Sequence, residues 1–417
     1  MGIISQIERL RQAKTAIRNA ILSKGVDVAD TDRIDTFAQK IATIEGGSGE
    51  GSGKYRVRFF DYDGTILKTA YTDGGEVTAP AVPEHDRLLF QEWNNDFDNI
   101  TDDLDVGAIY TTKSGKCEFD VWVNAELYSK TEKLTANTAF VGVGVTSGTV
   151  TVEWGDGATE TLSTAGETRL SHTYASAGKY MISVSGTDLW YFIGRALCEG
   201  GNMRNNTVMA VRIANIPDGA KSLSEIFADL YSCETISFDR SCSKINPYGA
   251  LREAPSLRHF NFPRGFKTSY WTLASSASMR HVVFSFAESV TEIGLSALGN
   301  SGIVDVILPP SITKIGAEAF KQDHPRAGLS QIIIPEKVTE IVYRAFFCTN
   351  STRNLKTIIM KPTTPPTIAL VTGWNADTTF PTDGSIKEII VPAGCGETYK
   401  SATNWSYYAD IIREEEI

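Results

Sequence analysis

The stretch "IVDVILPPSITKIGAEAFKQ", residues 303–322, decides the fold of this 417-residue chain. It contains a short apolar run ending in proline, a Thr-x-Ile segment and an Ala-Phe pair. The same three parts return in "LSQIIIPEKVTEIVYRAFFC", residues 329–348. One unit of this length cannot bury its own apolar face, so consecutive units must stack on each other. The stretch therefore predicts a solenoid.

Comparable apolar runs recur at a regular spacing along the second half of the chain. Their last residues lie at positions 214, 239, 263, 285, 309, 335, 361 and 392, in steps of 25, 24, 22, 24, 26, 26 and 31. The last step is long because it contains "LVTGWNADTTFPTDG", which reads as a surface insertion. A period near 24 with one short strand per unit predicts a solenoid over residues 205–417.

The quoted units resemble the BspA-type leucine-rich repeat. The shared order is an Ile-x-Ile-Pro element, a Thr-x-Ile element and an Ala-Phe element. The match is close over residues 290–412 and poorer over 205–285, where the Ile-Gly and Ala-Phe elements are degenerate. The resemblance implies a surface adhesion or recognition module that brings no catalytic residues.

Residues 112–190 contain strand-like runs whose turns suit an antiparallel β-sandwich. "TVTVEWGDGATETL", with His172-Thr173-Tyr174 and Gly178-Lys179-Tyr180, resembles an Ig-like PKD (polycystic-kidney-disease) domain. Gly155 and Gly157 are expected to flank a hairpin turn whose amides Asp156 caps. His172 is expected to pack and hydrogen-bond beneath that turn.

Residues 54–111 read as a small β module. Val57 to Leu67, Ala79 to Pro83, Phe90 to Trp93 and Ala108 to Tyr110 resemble the β repeat of Listeria–Bacteroides-type surface proteins. The chain departs from that repeat at "EHDRL", where a glycine is usual. The overall expectation is a multidomain, mainly β protein.

The string Asp61-Tyr62-Asp63-Gly64-Thr65 looks like the opening of a haloacid dehalogenase-type phosphatase site. That chemistry needs a crossover helix after the loop. Here the chain continues as "ILKTAYTDGGEVTAPAVP", and its Gly-Gly pair and prolines exclude such a helix. We expect Asp63-Gly64 to form a hairpin turn and Asp61 to bind turn amides.

Residues 1–45 predict a helical region, joined to the rest by a Gly/Ser linker over 46–53. Its first helix has a heptad seam, consisting of Ile3, Ile7, Leu10, Lys14, Ile17 and Ile21. Either it forms a self-contained hairpin or it is a coiled-coil oligomerisation anchor, which would make the chain a homotrimer. The helices resemble those of phage tail proteins.

Bulk properties exclude several classes of function. The formal net charge of −10 argues against a nucleic-acid binder. No apolar run reaches the length of a membrane span, and the start does not read as a secretory signal. Six scattered cysteines predict buried, reduced thiols and no zinc site. No cofactor is expected.

Candidate receptor contacts are aromatic, Arg and His side chains, because such residues anchor binding surfaces. They are Arg258, His259, Tyr270, Trp271, Arg280, His281 and Trp374. His259 and His281 occupy the same position in consecutive units, so they are expected to line one face. A stacked polar ladder explains them more simply than a metal or base pair, since no third ligand recurs.

These modules together predict an elongated, non-enzymatic recognition protein. The anchor would bind other tail or baseplate proteins, and the solenoid would bind a host surface glycan or protein. The absence of an export signal favours a phage tail fibre or receptor-binding protein on the virion. A bacterial cell-surface adhesin and a tail-associated polysaccharide depolymerase are the alternatives.

Overall fold

The protein is described by a computed structural model. It covers residues 53–123, 137–199, 207–220, 224–268, 270–286, 290–322, 329–347, 355–369, 379–380 and 386–417. Over these ranges the chain is mainly β, as predicted. The helices of this part are α1, Gly396–Ser401, and two 3-10 helices, Arg240–Lys244 and Ser406–Ile411. The predicted anchor with its seam, most of the linker, and Trp374 lie outside the described residues.

The first module is a four-stranded sheet, which we call the small sheet. Its strands are β1 (Tyr55–Phe60), β2 (Ile66–Thr72), β3 (Leu88–Trp93) and β4 (Leu104–Thr112). Their order is β2-β1-β4-β3, with β4 parallel to β1 and the other pairs antiparallel. Alternating side chains such as Val57, Phe59 and Val106 are fully buried and give the sheet its own core.

The turn between β1 and β2 is the predicted hairpin turn. Gly64 has a φ of 92°, and Asp63 accepts a hydrogen bond from the Thr65 amide at 2.9 Å. Asp61 accepts from the Tyr62 amide at 2.8 Å and pairs with His85 at 3.0 Å. Strand β2 returns at once beside β1, so both aspartates act locally in holding the turn.

The second module has two sheets around one core. Its strands are β5 (Cys117–Val123), β6 (Thr138–Val145), β7 (Thr149–Glu153), β8 (Thr159–Leu162), β9 (Gly166–Thr173), β10 (Gly178–Thr187) and β11 (Trp190–Phe192). One sheet is β11-β6-β9, and β5-β10-β7-β8 belongs to the other. Val141 and Ile182, from the two sheets, are fully buried in the same core.

The predicted turn after Trp154 and the predicted packing of His172 beneath it are both confirmed. Gly155 and Gly157 have φ values of 88° and 100°, and Asp156 accepts from the amide of Ala158 at 3.0 Å. His172 stacks on Trp154 with ring centroids 5.2 Å apart and bonds to Asp156 at 2.7 Å. The histidine thus packs beneath the turn, as expected.

The second module continues into the solenoid without a break. Strand β12 (Val208–Ile213) pairs antiparallel with β5, and β13 (Thr235–Phe238) pairs parallel with β12. Described buried residues from Cys117 to Ile412 likewise belong to one core. The first solenoid strands therefore extend a sheet of the preceding module.

The solenoid is built from two strand ladders. The first contains β14 (His259–Asn261), β15 (His281–Val283), β18 (Gln331–Ile334), β20 (Thr357–Met360), β22 (Glu388–Pro392) and β23 (Ile412–Glu415). The second contains β16 (Glu292–Ile293), β17 (Lys314–Ile315), β19 (Glu340–Val342) and β21 (Thr367–Ala369). The first ladder consists of two separate sheets, β14-β15 and β18-β20-β22-β23, and the second ladder is one sheet. All pairs within these three sheets are parallel. Ile293, Ile315 and Ile341 are fully buried in the second ladder.

A tight turn repeats on the other side of the solenoid, and we call that side the turn face. The first residue of the turn has a φ between 50° and 60° in seven units, at positions Arg195, Glu225, Gly249, Trp271, Ser296, Glu318 and Arg344. In four of them a second positive φ follows four residues later, at Asp229, Glu253, Ser275 and Asn300. Two residues after the first residue of the turn a large apolar side chain is buried, from Leu197 to Phe346. The turn is kept over 205–285, where the sequence pattern is degenerate, because it needs only a large apolar third residue.

One predicted strand is wrong. The run "VDVILP" forms no strand, and only Asp305 makes an isolated bridge, to His281. Within residues 290–322 and 329–347, no strand pairing joins 304–308 to β18. The inward side chains Val306 and Leu308 are still buried in the core, so core packing is kept while the ladder is interrupted.

The five described cysteines are free thiols, and four of them are buried. Burial raises the pKa of Cys117 and of Cys233 to about 12, so these thiols stay protonated. None of the helices in the described ranges is long and apolar enough to cross a membrane.

Candidate binding surfaces

The outward side of the first ladder, which we call the strand face, is partly covered by the small sheet. We call the contact between the small sheet and the strand face the joint, and two adjacent asparagines, Asn94 and Asn95, hold it together. Asn94 is fully buried and donates to the carbonyls of Phe262 and Val283 at 3.0 and 3.3 Å. Asn95 donates to the carbonyl of Phe284 at 2.7 Å. The small sheet is therefore bonded to the backbone of solenoid units.

A buried ion pair lies at the centre of this joint. Arg58 donates two hydrogen bonds to Asp105, at 2.7 and 2.8 Å, and His281 bonds to the same carboxylate at 2.9 Å. Asp305 also contacts Arg58, at 2.7 Å. Burial alone would raise the pKa of Asp105, but the hydrogen bonds from His281 and Arg58 hold it below its usual range.

His259 and His281 line one face, as the sequence predicts, but that face is inside the joint. Their rings stack 5.7 Å apart, and Phe60 of the small sheet stacks on both, at 5.5 and 4.5 Å. His259 is only 4% exposed, so the structure corrects its expected role as a receptor contact. The pKa of His259 is lowered to about 4, mainly because the ring is buried and secondly because the neighbouring His281 repels a positive charge there.

The remaining described candidates separate onto two sides of the solenoid. Arg258 and Arg280 are exposed and lie at the start of the strand ladder, where the Arg280 amide donates to the Arg258 carbonyl at 2.8 Å. Tyr270 and Trp271 lie on the turn face instead. The described candidates therefore do not make one site.

An aromatic cluster on the turn face is the best-formed outer surface. Tyr248 contacts Trp271 edge-on at 5.4 Å and Tyr270 at 6.1 Å, and Tyr270 is 46% exposed. The preceding turn on the same face contains Glu225, whose carboxylate forms an ion pair with Arg252 at 3.2 Å. Flat rings beside charged donors and acceptors are the combination that anchors ligands at protein surfaces.

A cleft of about 940 Å³ lies where the small sheet ends on the strand face. One wall comes from the loop 96–104 of the small sheet, and the other from 304–308 and 330–337 of the solenoid. The Lys361–Asp102 ion pair also joins the two walls. The cleft therefore depends on the joint that places the small sheet.

Sequence reasoning missed the joint and the cleft. The one local signal is the polar pair Asn94-Asn95 directly after the apolar strand β3, because buried amides need several partners. Among the described residues no three His, Cys, Asp or Glu side chains are grouped to hold a metal ion.

The comparisons with known proteins bear on the solenoid. Residues 280–364 match the family model of the BspA type Leucine rich repeat region, in six copies, which confirms the predicted repeat type there. Among solved structures, a leucine-rich repeat protein from Bacteroides ovatus ATCC 8483 aligns at 15% identity with a TM-score of 0.26. The alignment covers 59% of this chain and 66%, just under two thirds, of that one. No curated protein matches.

Proposed function

We propose that this chain is a recognition protein that adheres to a host cell surface through its C-terminal solenoid. The observation that carries the proposal is the aromatic cluster of Tyr248, Tyr270 and Trp271 on the turn face. BspA-type repeats in the same solenoid support an adhesive role. The receptor is a surface glycan or protein.

We further propose that the setting is a phage tail, with the chain as a homotrimeric tail fibre or receptor-binding protein on the virion. This part rests on the resemblance of residues 1–45 and on their heptad seam. Attachment to other tail or baseplate proteins is assigned to that region. Three copies would strengthen a weak solenoid contact by avidity. A bacterial adhesin remains the second candidate, since the BspA-type repeats fit it equally.

Removing the aromatic cluster should weaken binding to cells without weakening the fold. Trp271→Gly suits its backbone, because the φ of 57° favours glycine. Combined with Tyr270→Ser, it should cost about 2 kcal/mol of binding, or about 30-fold in Kd. Labelled protein is first tested on a panel of whole bacterial cells, and the strain bound best is used for the variants.

Ser296→Gly is the matched control, because Ser296 holds the same turn position in the next unit with a φ of 50°. It should bind as the native protein does. Equal binding by native protein and double variant, or no strain bound above an unrelated protein, would contradict the role of the cluster. Sugar release from purified envelope would instead favour the depolymerase.

The anchor is tested by mass in solution. We expect the full chain to have about three times the mass of one 45.5 kDa chain and residues 46–417 to be monomeric. Light scattering after size-exclusion chromatography measures both. A monomeric full chain would remove the trimer from the proposal and leave the cluster experiment unaffected.

A further inference from the structure

The cleft contains a break in an otherwise regular parallel ladder. His259 pairs with His281, His281 bridges to Asp305, and Gln331 pairs with Thr357. Between Asp305 and Gln331, both within described ranges, the pairing that would continue the series is missing. Two backbone edges therefore face each other across the cleft without pairing.

The direction of the free groups follows from the bonds that β18 does make. The amides of Lys356 and Lys361, the residues on either side of β20, donate to the carbonyls of Ser330 and Ile334. Backbone groups alternate in direction along a strand. The amide and carbonyl of Ile333 therefore point away from β20, towards 304–308, and the same holds for Gln331. An unpaired edge of this kind is a template for another strand.

Charge in the cleft is nearly balanced. Asp96, Asp102, Asp103 and Asp305 each pair with a cation, in turn Arg264, Lys361, Arg56 and Arg58. Glu336 and Lys337 are exposed, and their charges are opposite in sign. A polyanion such as a nucleic acid therefore finds no net attraction here.

The remaining lining favours a peptide over a sugar. Val304 and Ile333 are 43% and 39% exposed, as branched aliphatic side chains on the two edges. Phe286 is the single aromatic ring among the described residues that line the cleft. Sugar sites are built on aromatic rings, whereas an added strand needs free backbone groups and pockets for alternate side chains.

We propose that the cleft binds an extended peptide segment, which pairs with the free edge of β18 through Gln331 and Ile333. The four residues of β18 span about 13 Å at ~3.3 Å each, which matches a peptide of four to six residues. The main chain supplies most of the contact, so the site accepts many sequences with alternating small and branched side chains. This site is separate from the aromatic cluster on the turn face.

Hydrogen exchange of the native full chain tests the site directly. The probe is acetyl-Thr-Val-Thr-Val-Thr-Val-amide. The amides of Gln331 and Ile333 should exchange fast in the free protein and slow at least tenfold with the probe. A probe N-methylated at every residue has no main-chain donor along either edge and should give no protection. Slow exchange in the free protein, or no protection by the unmodified probe, would overturn the proposal.

Two variants separate main-chain pairing from side-chain contact. Ile333→Pro removes the amide that faces the cleft and leaves the bonds to β20, so probe binding should weaken about tenfold. Ile333→Thr keeps the amide and should bind within about threefold. Equal binding by both variants would contradict pairing through this edge, and so would protection of these amides by cellohexaose but not by the peptide.

Discussion

Replacing Asp105 by alanine should release the small sheet from the solenoid. The substitution leaves His281 without its carboxylate partner and removes two of the hydrogen bonds of Arg58. Of the ion-pair partners of Arg58 among the described residues, Asp305 is left, and its side chain is 43% exposed. Breaking a buried ion pair by removing one partner costs about 3–5 kcal/mol, and we expect a loss in this range.

The loss should appear locally before it appears globally. Hydrogen exchange in a urea series should show residues 55–112 losing protection at a lower concentration than the solenoid core. Asp96→Ala is the matched control, because its pair with Arg264 crosses the same joint while Asp96 is 76% exposed. An exposed pair contributes about 0–1 kcal/mol. Equal effects of the two substitutions would show that the joint does not depend on the Asp105 ion pair.

The joint determines which faces of the solenoid are open to a ligand. The small sheet covers the strand face at units 259–263 and 281–285, where Asn261 and Val283 are buried. The turn face with Tyr270 stays open, and so does the strand face at the cleft, where Ile333 is exposed. The turn face is therefore the side left open for the proposed receptor, and the small sheet positions the cleft.

The sequence predicted the parts of this molecule that depend on local pattern. The period near 24 located the strands of the first ladder, because each unit repeats the same buried positions. Asp63-Gly64 and Asp156-Gly157 predicted their turns, because a positive φ and a short side-chain acceptor are local requirements. His259 and His281 were correctly placed on one face for the same reason.

The joint could not be predicted, because its two sides are far apart in the sequence. Asn94 and Val283 are 189 residues apart, and no period relates them. The same separation explains the error over His259, since a repeat position indicates which face a side chain occupies and not what covers that face. The segment "VDVILP" follows the same apolar pattern as the strands of the other units, so its sequence does not show that the ladder is interrupted there.

Acid should loosen the joint, because His259 is neutral in the folded protein. Its Nε2 bonds to Asn261 Oδ1 at 2.7 Å, and the Asn261 amide is oriented by donating to Asp61 and Ala108. Nδ1 is buried without a hydrogen-bond partner, so a second proton there finds no acceptor. This geometry agrees with the pKa of about 4.

The sign follows from the unfolded chain, in which a histidine has a pKa of about 6.5. Between pH 6.5 and 4 the unfolded chain takes up a proton that the folded chain does not. Stability should therefore fall as the pH falls, by about 3 kcal/mol once the pH is below 4. Asp105 adds a separate loss at lower pH, because its own pKa is held below the usual aspartate range.

Urea unfolding at pH 7, 6, 5 and 4 measures this dependence. His259→Phe keeps a flat ring against Phe60 and removes the titration, so most of the slope between pH 6.5 and 4 should disappear. His172→Phe is the control, because His172 stacks on Trp154 outside the joint and its loss should leave the slope of His259 in place. If the free energy of unfolding depended on pH as steeply in the His259→Phe variant as in the native protein, other groups would cause the acid sensitivity. Protonation of His259 would then not affect the stability of the joint.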